Sequence, residues 1–360
     1  MADRGVTMTV LLAVTGLALL LRIFDFQGFL GGDDATYIQD ARLLAQGRFI
    51  PGSNQWDVRI GIIAPTALAL RLFGLHEWSI VLYPLCLSLL SLPLIYCLGK
   101  AFCCRQVGLL AALLLACFPQ DIFYATAVYP DLPGAFWGAL AVLLVYLSRA
   151  TVPPARRMGL AVGCGLALAV SYLTWEAYVA FVPICLLTLW GDRARDTSRK
   201  ASVILAVPAC TVAIESLAYW RLTGDPIFRL AALHHHTALL HGTSLLHFLL
   251  RWPVVLLNPG YPQTFFYVLL SIWGIVGLRW RRVRLAERIL LLWLLGSCAL
   301  YALAIISLHP LIALLEVEPR YLSGVVYPAV VLAASALWET RPHRQGAARV
   351  GGKDRSQCSI

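Results

Sequence analysis

Long apolar blocks set the first limit on what this chain can fold into. Leu160–Leu189 carries one charge, and Ile289–Leu308 carries none. Soluble domains hold about 25% charged residues; here the share is 13%, with 59% apolar residues and a mean hydropathy of +0.74. That excludes an ordinary cytosolic enzyme. It also excludes a disordered chain, which needs low hydrophobicity. The fold class is therefore an all-α polytopic membrane protein, its apolar blocks buried against lipid.

A span needs about 20 apolar residues, fewer where neighbours adapt. Candidate spans fall at 8–24, 78–98, 106–118, 132–148, 158–173, 176–190, 201–219, 264–278, 289–307 and 321–338, giving about ten transmembrane helices. The first block follows a single basic residue, Arg4, has no small-residue cleavage site after it, and is expected to be a retained anchor. With the N-terminus in the cytoplasm, 20 of the 29 Lys and Arg lie in residues 1–7, 99–105, 149–157, 191–200, 279–288 and 339–355 on that side. Thirteen of the 19 acids lie on the other. Every inside loop is short and basic, as the positive-inside rule requires. Both termini are expected in the cytoplasm. The formal net charge of +10 is thus explained by topology, and nucleic acid is not an expected partner. The ten cysteines sit in hydrophobic blocks, inside loops or the tail, so no disulfide framework is readable.

The expected domain is 1–338, followed by a basic, disordered cytoplasmic tail at 339–360. Two outside segments are too long for turns, about 25–77 and 221–263. In the first, Gly31-Gly32 breaks the chain and Asp33 or Asp34 can cap a helix running to Gln46 and ended by Gly47. Tyr37, Ala41 and Leu44 share one face of it. Ile60–Phe73 is apolar but short, with Pro65 inside it. Both read as interfacial helices, two or three of which are expected on the extracytoplasmic side. The second segment carries five of the eight histidines, among them His234-His-His236, His241 and His247; without metal-ligand spacing they read as a polar interfacial loop ahead of a metal site.

Acids near apolar segments are costly, so they are functional or paired. Asp33, Asp34, Asp57, Asp131, Glu176 and Glu318 are the outside candidates. Adjacent carboxylates at Asp33-Asp34 repel, and either can take a proton from a hydroxyl; equally, one is a helix cap and the other solvated. Asp131 can cap the helix that Pro133 opens, or act at a site. Two acidic sites on one face suit a divalent metal ion or a shared sugar, and the residues do not choose. Arg320 at the mouth of the last span can grip phosphate oxygens bidentately or snorkel against Glu318, and Arg59 has the same two readings.

Asp33-Asp-Ala-Thr-Tyr37, with Ala41 and Gly47, resembles the Asp-acidic-x-x-Tyr…Ala…Gly signature of GT-C glycosyltransferases of the protein mannosyltransferase and aminoarabinose transferase superfamily. Tyr129-Pro-Asp-Leu-Pro133 resembles that superfamily's second acidic motif, and Glu318-Pro-Arg-Tyr321 with Pro328 resembles its Arg-Tyr entry to a late span. The resemblance covers about residues 8–338 and implies a GT-C-like fold. It implies that Asp33 activates the acceptor, that Asp34 and Asp131 are the accompanying acids, and that Arg320 contacts the phosphate of a lipid donor. Tyr321, Arg59 and Tyr37 join the substrate-binding set. The chain departs at Arg59-Ile-Gly-Ile-Ile-Ala-Pro65, where the superfamily's basic-Pro-Pro-Leu opening survives only as Arg59 and a displaced proline.

These readings imply an inverting membrane glycosyltransferase acting on the extracytoplasmic face. Its partners are a polyprenyl-phosphate-linked sugar, a glycan, lipid or protein acceptor, and membrane lipid. No cofactor is required by the pattern beyond the open question of a divalent ion. A prokaryotic plasma membrane is the expected location, with an ER-type membrane also compatible. The rival is a transporter or lipid-sugar flippase, whose charges should lie at mid-membrane; a non-catalytic assembly subunit is a third reading.

Overall fold

A computed structural model describes residues 2–149, 153–189, 196–237, 270–276, 285–303, 305–308, 311–313 and 318–339, with single positions between 244 and 254. The tail 339–360 beyond Glu339, and His241 and His247, lie outside the described residues. The chain runs α1 (Ala2–Phe24), α2 (Asp33–Ala45), α3 (Ile60–Phe73), α4 (Glu77–Ile80), α5 (Leu82–Phe102), α6 (Arg105–Ala116), α7 (Pro119–Ala125) and α8 (Asp131–Leu147). It continues with α9 (Pro154–Thr174), a 3-10 turn (Glu176–Ala180), α10 (Phe181–Leu189), α11 (Thr197–Thr223) and α12 (Phe228–Thr237). Helix α13 (Leu285–Leu303) precedes strands β1 (Ile305–Leu308) and β2 (Leu311–Ala313), a second 3-10 turn (Pro319–Leu322) and α14 (Ser323–Glu339).

Among the described residues the protein is an all-α membrane protein but for one small antiparallel hairpin. There Ile305, Ser307 and Leu308 pair with Ala313, Ile312 and Leu311, so the helix expected over 289–307 ends at Leu303 and its last residues enter the strand. Among the described residues, five helices are long and apolar enough to cross a membrane: Gly5–Phe24, Leu82–Phe102, Pro154–Thr174, Thr197–Thr223 and Arg320–Glu339. The bent pair α6–α7, which turns by 61°, makes a sixth if it counts as one span. The spans expected at 132–148 and 176–190 fall on shorter apolar helices, and most of 264–278 lies outside the described residues.

Helix α14 is the axis of the bundle. Leu322 to Ala336 are buried throughout, packed on α5, α6, α8 and α13. At the periphery α11 shows the opposite pattern, with Val212, Ile214, Leu217, Trp220 and Leu222 exposed. An apolar surface of that kind is solvated by lipid, not water. Between helices, contact is made through small residues, as is usual in membranes. A Cβ at Gly108 would lie 2.5 Å from the Tyr96 carbonyl, so α5 and α6 touch backbone to backbone there.

Beside this bundle sits a smaller apolar cluster made by α2, α3 and α4: Tyr37, Ala41, Ile62, Ile63, Ala67, Leu70 and Ile80, closed by Val128. The helical face predicted for Tyr37, Ala41 and Leu44 is the face that packs, and Gly47 (φ 70°) ends the turn after α2. Pro65 leaves α3 unbroken. A Cβ at Gly61 would meet the Thr174 backbone nitrogen at 2.5 Å, so glycine lets α3 lie directly on the end of α9.

Candidate active site

The ends of α2, α8, α9 and α14 meet where the small cluster joins the bundle. The chain reverses before α2 at Gly31 (φ 78°), and α2 starts after Gly32 with no side-chain cap. The two adjacent acids then part. Asp34 is fully buried, and its carboxylate accepts the N–H groups of Leu30 (2.7 Å), Gly31 (3.3 Å) and Gly32 (2.7 Å). It holds the glycine turn rather than capping the helix. Asp33 faces outward and pairs with Arg320, Nη2 to Oδ2 at 2.8 Å.

Arg320 also pairs through Nε with Glu318, as the sequence allowed. Its guanidinium lies 4.8 Å from the ring centre of Tyr129 and 5.4 Å from that of Tyr321, an aromatic seat for a cation. Its turn is held from behind by Gln120, which donates to Ser323 Oγ at 2.9 Å and to the Arg320 carbonyl at 3.3 Å. Gln120 lies on α7, a helix too short to show in hydrophobic periodicity, so sequence reading missed it. Burial pushes the Tyr129 hydroxyl up to about 12, against the pull of Arg320. It is a neutral hydrogen-bonding group near neutral pH.

Asp131 stands at the mouth, one residue before the apolar stretch of α8. It does not cap the helix: Pro130 holds the cap position and makes no side-chain bond. It is buried, its Oδ1 accepts no hydrogen bond among the described residues, and its carbonyl accepts from the Tyr178 hydroxyl at 2.5 Å. Burial pushes its carboxyl up to about 6, while Arg320 and Arg59 pull the other way. An unsatisfied buried oxygen costs free energy, so it marks a place for a ligand hydroxyl or water.

Tyr37 and Arg59 form a second group. Arg59 Nη1 donates to the Tyr37 hydroxyl at 2.6 Å and Nη2 pairs with Glu176 at 2.7 Å, all three largely buried. Trp175 lies between the two groups, 5.8 Å from the Arg59 guanidinium and 4.9 Å from the Tyr321 ring. The structure thus brings Asp33, Arg320, Tyr321 and Asp131 to one place, sets Tyr37 and Arg59 beside it, and turns Asp34 into the loop. Among the described residues no group of three or more His, Cys, Asp or Glu could hold a metal ion. His234 is exposed near the end of α12.

The dolichyl-phosphate-mannose-protein mannosyltransferase family model matches residues 62–220. That stretch is less than half of the chain; it contains Asp131 and Glu176 but neither Asp33 nor Arg320. No curated protein matches significantly. Among solved structures, ArnT from Cupriavidus metallidurans in the apo state is similar, with a TM-score of 0.69 and 17% identity over 96% of this chain and 62% of that one. The same protein bound to undecaprenyl phosphate gives 0.70 and 17%, covering 93% and 61%. The Archaeoglobus fulgidus oligosaccharyltransferase in its apo form gives 0.59 and 14%, covering 97% and 52%. The chain therefore spans at most about three fifths of the structures it resembles. The likeness shows the fold: a multi-pass membrane protein built as ArnT and the archaeal oligosaccharyltransferase are built.

Proposed function

From that fold, we propose that the chain is a glycosyltransferase that moves a sugar from a polyprenyl-phosphate donor to an acceptor hydroxyl. The observation that carries the reading is the Asp33–Arg320 pair at the joint of the two clusters. A carboxylate and a guanidinium at one site are what displacement at a phosphate-linked anomeric carbon needs. The acceptor oxygen attacks that carbon as its proton passes to Asp33. The carbon–oxygen bond to phosphate breaks, and the phosphate leaves with the electron pair. Arg320 then takes up the charge that develops on the leaving oxygen. In-line attack inverts the anomeric centre.

While no donor is bound, each of the two groups neutralises the other. A donor phosphate competes for Arg320, and its arrival frees the Asp33 carboxylate to act as base. In this reading the Oδ1 of Asp131, without a partner among the described residues, accepts from a substrate hydroxyl, and Tyr321 with Tyr129 walls the cation's seat. Arg59 and Tyr37, already bonded to each other, act from behind this set. A lipid donor would enter laterally, and ArnT has been captured with undecaprenyl phosphate. The acceptor class is a glycan, lipid or protein. The site face is read as extracytoplasmic in a plasma membrane, with both termini cytoplasmic, on the charge distribution of the loops. Residues 1–338 form one membrane domain in this reading, and 339–360 a cytoplasmic tail.

The test is protein in liposomes supplied with a panel of radiolabelled polyprenyl-phosphate sugars, following sugar loss from the donor. Consumption by the wild type that Asp33→Asn and Arg320→Ala abolish, with both variants folded, supports the transferase. Donor that only changes leaflet, indifferent to Asp33, replaces it with a flippase.

A further inference from the structure

We propose that Glu176 is a positioning residue, which sets the orientation of α2 and so the aim of Asp33. The inference rests on the reading of Asp33 as the base. Glu176 opens the 3-10 turn after α9, and its two carboxylate oxygens hold two arginines from different parts of the chain. Oε1 pairs with Arg59 at 2.7 Å, and Oε2 with Arg229 of α12 at 3.2 Å. Arg59 passes the constraint to α2 through the Tyr37 hydroxyl at 2.6 Å. Tyr37 stands four residues after Asp33, so the two are neighbours along one face of the helix. What fixes Tyr37 fixes the turn that carries Asp33.

The cluster is closed on its other side. Arg229 Nη1 pairs with Glu215 of α11 at 2.6 Å and donates to the Val58 carbonyl at 3.2 Å, while Nη2 donates to the Tyr172 carbonyl at 3.1 Å. Tyr219 donates to the same Val58 carbonyl at 3.2 Å. Two arginines and two glutamates thus balance in charge, and together they pin the chain just before α3. Without the Glu176 carboxylate, Arg229 keeps Glu215. Among the described residues Arg59 keeps the Tyr37 hydroxyl, a long contact to Gln55 Oε1 at 3.4 Å and the Trp175 ring, none of them a counter-charge. A buried guanidinium left without its counter-charge is unfavourable and moves toward water, taking its hold on Tyr37 with it.

The experiment is hydrogen–deuterium exchange of the full chain in lipid nanodiscs, read alongside donor turnover. In Glu176→Gln, exchange is expected to rise in residues 33–45 and 55–60. Turnover is expected to fall about 10- to 100-fold, the range in which small misplacements of reacting groups act. KM for the donor should stay within about 3-fold, because Arg320 is untouched, and Glu176→Asp should recover most of the loss. Tyr37→Phe cuts the same path one bond later, so the double variant should lose no more than the worse single variant. Unchanged exchange in 33–45, or a double variant whose loss is the product of the two, overturns the proposal. Should the wild type consume no donor, the transferase reading fails and the exchange arm alone decides: a rise supports Glu176 as the clamp on α2, and no change overturns it.

Discussion

Arg22 and Arg320 each pair with an aspartate from a distant part of the chain, and the two sites differ in what surrounds the pair. Arg22, near the end of α1, is fully buried. It pairs with Asp121 of α7, donates to Ser88 Oγ at 2.6 Å, and donates to the carbonyls of Ala18 at 2.9 Å and Ala116 at 3.2 Å. Ser88 donates to the same aspartate at 2.5 Å. Arg320 is held by carboxylates on a more open face, with the Glu318 side chain 40% exposed, and near it Asp131 has an oxygen with no partner among the described residues. Every nitrogen of the Arg22 guanidinium has a protein partner, whereas beside Arg320 a buried carboxylate oxygen is left over among the described residues. In a membrane, where an unpaired charge is expensive, that contrast separates a bond that holds helices together from one that a ligand can replace.

The comparison breaks most visibly on the Arg22 side. Arg22→Met strands Asp121 inside the bundle and should cost about 3–5 kcal/mol, the usual penalty for halving a buried pair. Thermal unfolding in detergent measures it, and Arg22→Met with Asp121→Leu should return most of the loss. On the Arg320 side the effect belongs to turnover. Asp33→Asn should lower kcat by about 10²–10⁴-fold, the worth of a general base, and Arg320→Ala by about 10²–10³-fold, the worth of one preorganised donor. Neither should lower the unfolding temperature as far as Arg22→Met does. Asp34→Ala sharpens the point, because it strands three backbone N–H groups. A stability loss of about 1–3 kcal/mol is expected from the desolvated donors, read as earlier unfolding and faster exchange at residues 30–34. Smallest is Tyr129→Phe, which keeps the aromatic seat under Arg320. It should change donor KM by less than about 3-fold, since the cation's attraction to the ring does not need the hydroxyl.

Much of the architecture could be read from residue order. The surface helix ending at Gly47, the face built from Tyr37 and Ala41, and the boundaries of α3 follow from turn chemistry and local periodicity, which act within a few residues. The Glu318–Arg320 pairing was open to inspection for the same reason. By contrast α7 could not be seen: seven residues after a bend carry too little pattern, although Gln120 and Asp121 both depend on it. Arg22 reads in sequence as one charge at the end of an apolar run, and nothing nearby names a partner that comes 99 residues later.

By itself, then, the sequence determined the solvent and the elements. Lipid demands continuous apolar length, and helices and their turns answer to neighbours in the chain. It also offered Asp33 and Asp34 as equals, since adjacent residues share their local environment. The family resemblance preferred Asp33, and the tertiary structure supplied the physical separation. Gly31 and Gly32 curl three N–H groups around Asp34, and α14 brings Arg320 to Asp33. Likewise, Glu176 gained its two arginines only when α3 and α12 packed against the end of α9. Charge pairing acts through space over a few ångströms, and which charges come that close is settled by how helices pack, not by where they stand in the chain.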